Sequence, residues 1–139
     1  MPTYRELGAA EARVALDACL EDLARRGKAA TIAVADRHGE LIALWRMDGA
    51  SLPSIVIAGN KAYTSARVCA DSGDMGRGVK ASGDDVHYHG DARYVGWDGG
   101  AVVIHDGQCL GSVAVSGLSG EEDLAIAHTG VAAILKTLE

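Results

Sequence analysis

The chain has 139 residues, a formal net charge of -6, 48% hydrophobic residues, no phenylalanine and 18 glycines. That charge excludes a phosphate-backbone surface, which needs clustered Lys and Arg; no run of about twenty apolar residues offers a membrane span, and Glu6 and Glu11 interrupt any secretory leader. The length bounds one domain, residues 1–139, with a core of small aliphatic side chains; a cytoplasmic homo-oligomer with no nucleic-acid or membrane partner is expected.

Thr3-Tyr4-Arg5-Glu6 has capping-box spacing and predicts a helix over 4–26, with Leu7, Ala10, Val14 and Ala18 on its apolar stripe and Gly27 as the stop. ATIAVAD (30–36) and ELIALWR (40–46) flank Arg37-His38-Gly39 and read as a hairpin. Ser51 and Pro53 open a second helix, whose stripe of Ile55, Ala58, Ala62, Ala66 and Cys69 leaves Lys61 off the apolar face and exposed. From Asp71 to Asp98 the periodicity fails and glycines recur, so an irregular segment is expected, interrupted by a short strand over 92–95. Asp106-Gly107 joins AVVIH (101–105) to QCLGSVAVS (108–116) as a second hairpin. Ser119 to Glu122 then caps a final helix carrying Leu124, Ala127, Val131, Leu135 and Leu138. Two hairpins joined in one antiparallel sheet and covered by helices make an α+β fold.

The densest chemistry lies in DDVHYHGD (84–91). On an extended backbone His87 and His89 point the same way. Both imidazoles can then face one cavity, ligate a haem iron through one ring, or exchange protons with a substrate as catalytic groups. Solvated loop histidines explain the same pattern, and zinc lacks a third ligand at recognisable spacing. Asp91 can orient an imidazole through its second N–H. Tyr94 and Trp97 can line a flat apolar ligand. The Arg46 guanidinium can pair with Asp48 or with a ligand carboxylate such as a haem propionate, and Lys61 can also reach an anion. Gly99-Gly100 precedes a strand without opening a helix, which permits close backbone approach to a ligand or to another strand. Cys19, Cys69 and Cys109 are odd in number and far apart, giving neither a disulfide framework nor a C-x-x-C motif.

Four stretches, IAVADRHGELIALWRMDGA, SIVIAGNKAYTSA, GWDGG and CLGSVAVSGLSGEEDLAIAHTG, resemble in this order the GlcG/HbpS-like family, which includes the C-terminal domain of PduO-type cobalamin proteins. The resemblance implies a profilin-like fold, with a five-stranded antiparallel sheet flanked by helices on both faces, assembled into homo-oligomers. It also implies an association with haem binding, haem degradation or redox sensing. Many relatives have Pro two residues after the paired glycines, where this chain has Val102.

Three readings follow. The first is non-covalent binding of haem or a related small anionic ligand, with His87 or His89 as axial ligand and Arg46 or Lys61 on the propionates. The second is a cofactor-independent isomerase, lyase or hydrolase acting on a small organic acid, with histidine as acid or base and Arg46 fixing the carboxylate. The third is an assembly protein without a ligand. The first two require the imidazoles and the Arg46 guanidinium to converge on one hollow.

Overall fold

Short apolar strands joined by tight turns build one antiparallel sheet, from which the rest of the molecule extends on both sides. The computed structural model describes residues Met1–Glu139. The strands are β1 (Thr31–Asp36), β2 (Leu41–Arg46), β3 (Gly100–His105) and β4 (Gln108–Ser116), in the order β2-β1-β4-β3. The two expected hairpins form. In the first, Asp36 accepts the backbone N–H groups of His38 and Glu40. In the second, Asp106 and Gly107 both take positive φ, as a two-residue turn matched to strand twist requires.

The period of two along each strand divides the residues between two layers. Ile32, Val34, Val103, Val113 and Val115 face one layer, packed on Leu23 of α1 (Ala9–Arg26) and on Ile126 and Ile134 of α4 (Gly120–Thr137). Burying each such side chain stabilises the fold by about 1.5–3 kcal/mol. Ala33, Ala35 and Ala114 face the other layer and meet Ala58 and Ala62 of α2 (Ser54–Val68). Methyl-on-methyl contact lets α2 lie close to the sheet. No helix is long and apolar enough to cross a membrane.

Four expectations need correction. Helix α1 begins at Ala9 rather than residue 4, because the Glu11 carboxylate, not Glu6, accepts the N–H at the cap, here that of Gly8. Leu7 instead donates its N–H to the Leu110 carbonyl. The segment 71–98 is not wholly irregular: it carries α3 (Ser72–Ser82) and a 3-10 turn at Val86–His89. Helix α3 carries glycines at 73, 76 and 78, and two of them stand where close contacts leave no room for a side chain: a Cβ on Gly76 would collide with the Gly96 backbone, and one on Gly73 with Asp98.

The sheet has four strands, not five. Residues 92–95 form no ladder because their donors are spent elsewhere: the Tyr94 N–H on the Asp91 carbonyl and the Val95 N–H on Thr64 Oγ1 of α2. Lastly, Lys61 is buried, with 2% exposure.

Candidate functional site

Lys61 points from α2 past the end of β4 into the interior. Its Nζ donates to the Val115 carbonyl and to Asp123 Oδ2, each at 3.0 Å. Asp123 lies in the first turn of α4 and is equally buried; its Oδ1 accepts the Leu118 N–H at 3.1 Å. Burial pushes the Asp123 carboxyl above the usual carboxylate range, opposed by the Lys61 charge and hydrogen bond. Gly99 makes this arrangement possible. It holds φ +126°, and a Cβ there would lie 2.5 Å from the Val115 carbonyl oxygen and 2.6 Å from Lys61 Nζ. Its neighbour Gly100 passes over Ser65, whose buried hydroxyl has no hydrogen-bond partner; a Cβ there would lie 2.5 Å from that oxygen.

This ion pair contributes to the lining of a cavity of about 540 Å³. Ser51, Pro53 and Ser54 bring the start of α2 to its wall, and Leu118 and Gly120 bring the start of α4. Ser116, Asp98, Ile57 and Trp97 complete much of the rest. Two helix N-termini thus open into one hollow, where backbone N–H groups and the helix dipoles favour negative charge. Because Asp123 offsets Lys61 and Arg77 offsets Asp98, the site's pull on an anion comes chiefly from those termini and from the Ser51 and Ser116 hydroxyls.

The expected site residues divide among separate places. Lys61 and Trp97 line this cavity; Gly99 packs against its ion pair, while Gly100 lies on Ser65 and Ser72 behind it. Arg46 and Asp48 are exposed and line a different depression with Leu20, Trp45 and Met47. His87 and His89 sit on the 3-10 turn rather than on extended backbone. His87, its side chain 82% exposed, bonds Asp85 at 2.7 Å. His89 Nδ1 meets the Val86 carbonyl at 3.1 Å, and its ring lies 4.7 Å from that of Tyr94. Tyr94 accepts from Arg67 and packs edge-on against Tyr63. Asp91 accepts the Tyr63 hydroxyl at 2.6 Å and the Arg93 N–H at 2.9 Å, which pulls its carboxyl down to about 2. That carboxylate stays ionised near neutral pH and donates no proton there. Within one chain the imidazoles and Arg46 share no hollow, because the backbone coils at Val86–His89 and β2 ends at a depression lined by no histidine.

Asp123, Asp98, Ser54 and Ser116 carry no site signal in the chain, and Ser51 signals only a helix start. The acid triplet Glu121-Glu122-Asp123 looks like ordinary N-terminal helix chemistry. One signal was available: a lysine among small residues, on a helix otherwise patterned to lie flat on a sheet.

A family model described as haem degrading protein HbpS-like matches residues 7–132. The corrinoid adenosyltransferase PduO of Salmonella typhimurium is 32% identical over 107 residues, covering 74% of this chain and 31% of that protein. The chain thus spans about a third of the length of the first curated relatives it matches. Among solved structures, the PduOC–haem complex superposes with a TM-score of 0.84 at 27% identity, covering 92% of this chain and 94% of that one. A double mutant of Streptomyces reticuli HbpS gives 0.85 at 25% identity, with 95% and 89% covered.

Proposed function

The chain belongs to the HbpS-like family, and from that premise we propose that it binds haem or a related small anionic ligand without covalent attachment, in the cavity bordered by Lys61 and Asp123. The observation that carries the reading is the meeting of two helix N-termini over a buried ion pair in a hollow of about 540 Å³. The fit is to carboxylate arms and to a flat ring laid against Trp97, with Pro53, Ile57 and Leu118 as the apolar strip. It does not extend to the metal. None of the twelve lining residues is His, Cys, Met or Tyr, so the cavity offers iron none of the usual axial ligands. Nor does any imidazole in the cavity support histidine acid–base chemistry on a bound acid.

Titration with haemin and with iron-free protoporphyrin IX tests the proposal. Both should bind with similar affinity and quench Trp97 fluorescence, measured in a Trp45→Phe background. Ile57→Trp, which fills the hollow, should weaken both at least about tenfold, the effect of roughly 1.4 kcal/mol. The double variant His87→Ala, His89→Ala should bind as wild type does. Haemin binding that survives Ile57→Trp and disappears with the two histidines overturns the reading.

Self-association is part of the same proposal. Leu41, Leu44 and Trp45 on the edge strand β2, with Val56 on α2, are exposed large apolar side chains on adjoining elements. Edge strands with such side chains favour pairing with another copy. Sedimentation should show an oligomer, and Leu44→Glu with Val56→Glu should lower its mass. A monomer at micromolar concentration sinks this part.

A further inference from the structure

The thiols that looked unrelated in the chain meet at the far end of α2. Cys69, the residue that ends the helix, and Cys109, at the start of β4, both direct their sulfurs at the Ala66 carbonyl oxygen, at 3.7 and 3.4 Å. Sharing one acceptor brings the two sulfurs to the same spot on the helix end. Together with Tyr4, Arg37, Gly107 and Gln108 they line a small hollow of about 210 Å³. Cys69 is exposed and Cys109 half-buried.

Backbone geometry adds an independent observation. Cys69 holds φ +54°, one of two non-glycine residues in the chain at positive φ, at a helix end where glycine is the ordinary choice. A side chain retained at a position that favours its absence points to a use for that side chain.

We propose that Cys69 and Cys109 form a peroxide-sensitive dithiol site that closes to an intramolecular disulfide. The exposed Cys69 thiolate attacks hydrogen peroxide, breaking the O–O bond and becoming a sulfenic acid as hydroxide leaves. The Cys109 sulfur then attacks the Cys69 sulfur and displaces the hydroxyl. One S–S bond forms, the two thiol protons leave with the two peroxide oxygens as two waters, and two electrons pass from the thiols to peroxide. Burial and then the neighbouring Cys69 thiol push the Cys109 thiol up to about 11, so it waits as a protonated resolving group. Arg37, stacked over the Tyr4 ring at 3.9 Å, supplies positive charge at the rim. The bond would tie the end of α2 to the β3–β4 hairpin and enclose the loop that carries α3 and Trp97.

The test treats the full-length protein with equimolar hydrogen peroxide, then alkylates free thiols and maps peptides without reduction. Wild type should lose two titratable thiols, yield a Cys69–Cys109 linked peptide two hydrogens lighter than its parts, and keep Cys19 reduced. The thermal midpoint should rise by roughly 10 °C and fall back with dithiothreitol. Cys109→Ser should instead accumulate a sulfenic acid at Cys69 that dimedone traps, and Cys69→Ser should leave Cys109 reduced. Linkage only between chains, equal oxidation of Cys109 in Cys69→Ser, or both thiols still alkylated after treatment overturns the proposal.

Discussion

The Lys61–Asp123 pair and the histidine-bearing turn at residues 84–91 are opposite ways of placing charge. The pair joins residues from two helices, both side chains 3% exposed, with every charged atom committed to a near neighbour. The turn crowds ionisable groups within a few residues and leaves most of them in water, His87 at 82% exposure. Density along the chain is thus a poor guide to chemistry, because water screens what it surrounds. Burial decides. Removing charges from water costs enough that a buried pair persists only where its partners and hydrogen bonds are complete.

The strongest way to break this contrast is Asp123→Ala, which strands the Lys61 ammonium. It should cost about 3–5 kcal/mol in urea unfolding, and Lys61→Met with Asp123→Leu should recover most of that loss. Little loss in the single variant would put the pair on a level with the exposed turn. Gly99→Ala presses on the same pair from below; strain and overpacking together should cost about 2–4 kcal/mol, read as a lower urea midpoint at unchanged slope.

The pH response sharpens the contrast through two carboxyls shifted in opposite directions. Asp123 titrates above its unfolded value, so its contribution is fully present below about pH 3.9 and is lost as pH rises through the raised value. Asp91 is depressed to about 2, so its contribution is present above the unfolded value of about 3.9 and lost as pH falls through about 2. Carboxyl-carbon NMR titration should find the two midpoints on opposite sides of the unfolded value, and Asp91→Asn should flatten the acid limb of the stability curve. Two coincident midpoints would refute it. The smallest effect belongs to His87→Ala with His89→Ala, which should leave stability within about 0.5 kcal/mol of wild type. A loss above 2 kcal/mol would mean the turn is structural after all.

What the chain disclosed in advance were features whose signals are local. The Asp106-Gly107 and Arg37-His38-Gly39 turns, the stop at Gly27 and the cap at Ser119 each act within a few residues, and each forms. Helix α3 stayed hidden because its glycines argue against a helix, while the Gly76–Gly96 and Gly73–Asp98 contacts that require them are between distant residues. The site was half visible. Lys61, Trp97 and Gly99 stand out by residue type, yet the chain reads Lys61 as exposed because its partner is 62 positions away. Cys69 and Cys109 illustrate the same limit, since only the folded sheet brings them to one carbonyl.

The alanine seam beneath α2 has a mechanical consequence. The apolar contact between α2 and the sheet is made by alanine methyls, with Ser112 and Thr31 bonding the helix from the strands, so its height above the sheet is set by small side chains. Along that single rod ride Lys61, Tyr63 and, at its tip, Cys69. Thickening the seam by two carbons, as Ala62→Val would, lifts the rod as a lever and disturbs ion pair, ring stack and thiol pair in one stroke.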